Sequence, residues 1–114
     1  MQPETIAKIS EHYEHAKEKH PSFCNALTYY TKSGGTHLLS MARHELKLGI
    51  ETGTVGFQEV LNCEVMEALK EIVDGNTAAA VEECYDAIAV LLRVVDVLEG
   101  RHALGDLAKK SNNN

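Results

Sequence analysis

The chain has 114 residues, 44% of them hydrophobic and 25% charged, which is the composition of one globular domain with a modest core. No apolar run approaches the roughly 18 residues that span a bilayer, Met1-Gln2-Pro3-Glu4-Thr5 lacks a secretory pattern, and Cys24, Cys63 and Cys84 are too widely spaced for a disulfide framework or zinc knuckle. The expectation is therefore a cytoplasmic protein with no membrane segment. The net charge of −6 is concentrated between Glu59 and Glu99, where ten acids stand against Lys70 and Arg93; that argues against a nucleic-acid backbone as partner and suits a cation.

Residues 3–19 read as a helix, with Pro3 in the first turn, Glu4 at the positive end and Ile6, Ile9, Tyr13 and Ala16 as a narrow apolar stripe. His12, His15 and His20 lie on or beside its Lys/Glu-rich surface and are read as exposed side chains rather than a metal cluster. From Pro21 to Gly35 the pattern does not choose: Pro21-Ser22 can start a helix, Leu27–Thr31 has strand-like composition, and Ser33-Gly34-Gly35 reads as a flexible loop. Phe23, Tyr29 and Tyr30 are core or interface packing on one reading and a stacking platform for a nucleobase on the other.

Thr36 is placed to cap a helix running to about Gly49, with Leu39, Ala42 and Leu46 inward. Arg43, His44 and Lys47 occupy its polar side; Arg43 and Lys47 are the candidates to meet a phosphate. Gly49 and Gly53 break the chain, and Thr54 is the expected cap of a helix over about 55–74. The core candidates there are Phe57, Leu61, Val65, Ala68, Leu69 and Ile72. Gly75 stops that helix, and Asn76 or Thr77 caps the next, over 77–99. This last helix is apolar nearly all round, the mark of a helix covered on several sides. Gly100 is expected to end it, a short helix over 103–110 to follow, and residues 111–114 to form a polar tail on a single domain of residues 1–110. The fold class expected is all-α: a four- to five-helix bundle built on the antiparallel pair 55–74 and 77–99, joined by a short turn. So apolar a helix in so small a chain predicts a homo-oligomer.

The chemistry-bearing residues sit on that pair. Glu64 and Glu67, and again Glu83 and Asp86, are three apart, so each pair shares a helix face. Two antiparallel helices could aim four carboxylates at one spot, where they repel and resist desolvation unless a cation joins them. Mg²⁺, with Mn²⁺ as substitute, is the common ion that accepts oxygen ligands alone. Mg²⁺ shares its shell readily with phosphate oxygens, which makes a nucleoside triphosphate a natural substrate. Glu64 and Glu67 are candidates for joint metal-ligand and general-base roles, with Glu83 and Asp86 as metal ligands.

Glu64-x-x-Glu67 followed by Glu83-x-x-Asp86, with the Gly75-Asn76 break between them, resembles the signature of the MazG-like all-α nucleotide pyrophosphohydrolases, a superfamily that includes dimeric dUTPases and dCTP pyrophosphatases. The resemblance covers roughly residues 36–113 and is strongest over 57–98. It implies attack at the α-phosphorus, giving nucleoside monophosphate and pyrophosphate, and assembly as dimers or tetramers; the physiological role stays open between cleansing nucleotide pools and something host-specific. It also implies phosphate contacts from a Lys-x-x-x-Asn pair in the last helix, a spacing that Lys109 and Asn113 match. The chain departs from several branches at Cys63, where they carry a further Glu. Two other classes stand beside this reading: a noncatalytic helical module whose acidic face binds a partner, and a di-iron carboxylate bundle. The latter requires Glu-x-x-His pairs, whereas the fourth position of the two acidic pairs here is Glu67 or Asp86 and never His.

Overall fold

In the computed structural model, which describes residues 1–23 and 26–112, the chain forms four helices: α1 (Pro3–Lys19), α2 (Lys32–Thr52), α3 (Phe57–Val73) and α4 (Thr77–Asn112). No strand occurs among the described residues. The strand-like composition of Leu27–Thr31 is thus overridden: these residues are a connection leading into α2.

Helix α2 begins earlier than the spacing of apolar residues indicates. Thr31, not Thr36, is its N-cap, and its hydroxyl accepts the N–H of Gly34 at 3.2 Å. Ser33-Gly34-Gly35 is the first turn rather than a loop. Glycine weakens a helix by about 1 kcal/mol relative to alanine, and packing offsets that here. Gly35 is buried, and a Cβ placed on it would lie 3.7 Å from the Val73 side chain, so the start of α2 rests on the end of α3. Thr36 instead bonds back to the Lys32 carbonyl at 2.9 Å.

Two glycines with left-handed backbone make the turns. Gly53 (φ 71°) closes α2 and Gly75 (φ 79°) follows α3, a conformation that costs side-chain-bearing residues but not glycine. After Gly75, the Asn76 N–H reaches the Glu71 carbonyl at 2.9 Å, satisfying an acceptor that the helix end leaves open. At the start of α3, Gly56 is the N-cap rather than Thr54, and the Glu59 carboxylate accepts the Gly56 backbone N–H. Gly100 does not end α4, which continues for 36 residues in all. Gly53 and Gly75 are the glycines that take positive φ, so Gly100 lacks the left-handed geometry of a C-terminal stop. The expected fifth helix is the distal part of α4.

Packing runs α2 on α3 and α3 on α4. Among the described residues, α1 is anchored at Thr5, whose buried hydroxyl lies 2.7 and 2.9 Å from the two carboxylate oxygens of Glu99. Among the described residues the buried apolar ones are Leu39, Ala42, Cys63, Ala68 and Ala80, and no large side chain is fully buried. Of the expected α3 core, Ala68 is buried and Leu61, Leu69 and Ile72 are half-buried, but Phe57 and Val65 are exposed. Ile6, Ile9 and Tyr13 of α1 are exposed as well, as are Phe23, Tyr29 and Tyr30; none of these contributes to a core within one chain.

The molecule is consequently open. Its radius of gyration is 18.2 Å, against about 13 Å for a compact domain of this length. Its accessible surface is 8891 Å², against roughly 6,200 Å² for a folded monomer of this mass. No helix among the described residues is long and apolar enough to cross a membrane.

Candidate functional site

The acids of α3 and α4 meet where these two helices pack. Glu64 lies in the middle of α3, and Glu83 and Asp86 lie one turn apart near the start of α4. Carboxylate oxygens of Glu64, Glu83 and Asp86 all lie within 4.8 Å of one another. Small neighbours permit this approach: Cys63 and Ala68 on α3 and Ala80 on α4 are buried around the cluster's level of the helix pair. Glu64 and Glu83 are half-buried and Asp86 is exposed, so the site has an inner wall and an open side.

Glu67 completes the set from a different direction. Its Oε1 lies 3.7 Å from the Arg43 guanidinium of α2 and accepts from the Cys63 thiol at 3.8 Å. It also faces Glu83, since a protonated Glu83 donates a hydrogen bond to it. Three of the four carboxylates named from the sequence thus form a triad, and Glu67 lies outside it, beside Arg43 and Cys63.

The electrostatics follow from this crowding. Glu83 is pushed up from 4.5 to about 7. The hydrogen bond to Glu67 comes first among the causes, then burial, then the charges of Glu67, Asp86 and Glu64. Glu64 is raised by burial and by the charges of Glu67 and Asp86. Burial, followed by the charges of Glu67 and Glu64, pushes the Cys63 thiol up, with Arg43 opposing. A thiol held protonated is a poor nucleophile.

The donor set fits a hard divalent cation. Oε2 of Glu64 and Oε2 of Glu83 are both buried, and neither has a hydrogen-bond donor among the described residues. A buried acceptor left unpaired costs about 1–3 kcal/mol, and more when charged. Two such oxygens in one all-oxygen triad are what a bound Mg²⁺ or Mn²⁺ would satisfy.

The remaining expected residues divide by distance. Arg43 reaches the cluster through Glu67, whereas Lys47, one turn further along α2, pairs with Glu51 at 4.0 Å. Arg43 and Lys47, with Leu46, Ile50 and Glu51, line a shallow cavity of about 300 Å³ on the outer side of α2. Lys109 is on the exposed distal part of α4, about 35 Å along the helix from Asp86 at 1.5 Å per residue. It cannot share a site with the acids of its own chain. Asn113 lies outside the described residues. The larger concavities also lie away from the acids. One, of about 830 Å³, separates the start of α1 from α4 around Thr5 and Glu99. Another, of about 800 Å³, is a groove between the start of α3 and α4 at Phe57, Val60, Val94 and Val97.

Sequence reasoning did not anticipate that Arg43 would bind Glu67 rather than stand free, or that Thr5 would anchor α1. The first depends on how α2 crosses α3. The second joins residues 94 apart in the chain. No local spacing signals either.

No protein-family model, curated protein or solved structure matches the chain.

Proposed function

We propose that the protein is a Mg²⁺-dependent nucleoside triphosphate pyrophosphohydrolase of the MazG-like type, converting a ribo- or deoxynucleoside triphosphate to the monophosphate and pyrophosphate. The observation that carries this reading is the convergence of three carboxylates, Glu64, Glu83 and Asp86, with two buried oxygens that lack donors among the described residues. An antiparallel arrangement of α3 and α4 about the 74–76 connection accounts for it, bringing Glu64 level with Glu83 and Asp86.

In this reading Glu64, Glu83 and Asp86 hold the cation. When bound, Mg²⁺ supplies charge stabilisation to phosphate oxygens and makes a water more acidic. Glu67, outside the triad, is the carboxylate free to take a proton from the attacking water. Arg43 holds Glu67 in place and adds positive charge on the side where phosphate would enter. Cys63 packs beneath Glu67 and takes no chemical part.

The chain is proposed to work as a homo-oligomer, a reading supported by its extended shape and by exposed apolar side chains on every helix. A contribution from Lys109 at a site would then come from a second copy. That same open shape also favours a second reading, a noncatalytic interaction module with an acidic face. The two separate in one experiment. A panel of ribo- and deoxynucleoside triphosphates is incubated with Mg²⁺ and scored for pyrophosphate against phosphate. Pyrophosphate release that disappears on chelation supports the enzyme; no release from any member of the panel leaves the interaction module.

A further inference from the structure

Helix α1 stands apart from the rest of the chain. Among the described residues no Cα atom of α1 comes within 8 Å of one in another helix, and the Thr5–Glu99 hydrogen bonds tie its first turn to α4. A 17-residue helix rich in lysine and glutamate is marginal on its own, because helices in proteins are stabilised mainly by packing an amphipathic face. Such a face exists. Thr5, Ile6, Ile9, Tyr13 and Ala16 fall within about 100° of the helix circumference, with Ile6 52% and Tyr13 63% exposed. Helix α4 has a matching one, well round the helix from the Ala80, Ala87 and Val94 side. It consists of Val81, Tyr85, Ile88, Leu92, Val95 and Glu99, spaced alternately by four and three as in a two-helix seam. Tyr85 is 60% and Ile88 52% exposed.

We propose that α1 is a strap that closes along this side of α4 within the same chain, antiparallel to it and pivoting on the Thr5–Glu99 clasp. The clasp residues belong to both stripes, so the two apolar faces begin side by side and need no change of register to meet. Ile9 then comes level with Val95, and Ala16 with Ile88. Beyond the clasp the stripe positions carry no charge, so closing desolvates no further ion. The connection to α2 permits the movement. With the strap closed, Lys19 lies level with Tyr85, and the start of α2 is three helix spacings away, roughly 30 Å at 8–10 Å each. Residues 20–31 reach up to about 40 Å. Being held at both ends makes closing a unimolecular step, which favours α1 of the same chain over any separate partner. The inference is independent of the hydrolysis and of the self-association proposed above.

The test places a pair of cysteines across the closed strap. Ala16→Cys and Ile88→Cys, in a Cys24→Ser/Cys84→Ser background, replace two exposed residues. A disulfide needs Cα atoms about 4.4–6.8 Å apart, closer than any α1–α4 pair in the open arrangement. Under mild oxidation an intrachain bond should form at least about tenfold faster than in Glu18→Cys/Ile88→Cys, which puts the thiol on the opposite side of α1. Peptide mapping of the band at the 12.5 kDa chain mass reads it. Amide hydrogen exchange gives a second reading with the native cysteines in place. The α1 amides should exchange at least about tenfold more slowly in the parent than in Ile9→Gln/Tyr13→Gln; both residues are exposed, and Gln is no worse a helix former than either. Equal oxidation rates for the two cysteine pairs, cross-links solely between chains, or α1 amides as labile in the parent as in the Gln variant would each refute the strap.

Discussion

Replacing Glu83 by Gln should have opposite effects with and without metal. In the free protein Glu83 is raised from 4.5 to about 7 by its contact with Glu67, by burial and by three neighbouring charges. Above pH 7 it is ionised in both folded and unfolded chains, and the folded state bears the repulsion. Between about 7 and 4.5 the folded chain holds a proton that the unfolded chain releases, so stability is present at the lower pH and is lost as pH rises through 7. Taken whole, such a shift corresponds to about 3 kcal/mol; for a half-buried group within reach of water it is discounted to on the order of 1 kcal/mol. Glu83→Gln removes the charge and with it this slope. The variant without metal should therefore be at least as stable as the parent near pH 8, by up to about 1 kcal/mol. Mg²⁺ reverses the order. At a hundred times its dissociation constant a ligand adds about 2.7 kcal/mol to the parent, which raises the melting temperature by roughly 10 °C in a domain of this size. The variant, lacking one of three ligands, should gain little. The assay is thermal and urea unfolding followed by circular dichroism near pH 5.5 and pH 8, with chelator or millimolar Mg²⁺, always comparing parent with variant so that histidine titration cancels. The reasoning fails if Mg²⁺ leaves the parent's melting temperature unchanged, or if Glu83→Gln destabilises the metal-free protein at pH 8.

Glu67→Gln and Asp86→Asn should retain their helicity and lose hydrolysis by orders of magnitude, the first as the proposed general base, worth about 10²–10⁴-fold, and the second as a ligand of a metal site worth several kcal/mol; full activity in either would falsify the assignment. Cys63→Ser should turn over substrate like the parent, and Cys63 should resist alkylation at neutral pH because burial and the adjacent acids keep the thiol protonated. Arg43→Ala should raise KM several-fold in steady-state kinetics while changing stability by less than about 1 kcal/mol, because its pair with Glu67 is long and partly exposed. Thr5→Val should cost about 0.5–1.5 kcal/mol, the net worth of a hydrogen bond whose exposed acceptor Glu99 can turn to water, and limited proteolysis should then release α1 faster.

Much of the helical layout was legible because it depends on neighbours in the chain. The Glu64/Glu67 and Glu83/Asp86 spacings, Gly75 as a stop and the apolar character of α4 are all local signals, and together they place four acids on two helices. Other features required the folded chain. Ser33-Gly34-Gly35 has loop composition, yet it forms the first turn of α2, capped by the Thr31 hydroxyl and with Gly35 buried against Val73. Gly100 has the identity of a stop but not the backbone of one, and α4 continues through it. Phe57 and Val65 fit the apolar pattern of α3 but remain exposed, because periodicity identifies a face without supplying its partner. The same limit holds at the site. Spacing fixes which carboxylates share a helix face; only the packing of α3 on α4 decides that Glu64, Glu83 and Asp86 form a triad, and only the crossing of α2 pairs Glu67 with Arg43. Covalent neighbours set local geometry, whereas the charges and contacts that give these acids their character come from residues on other helices.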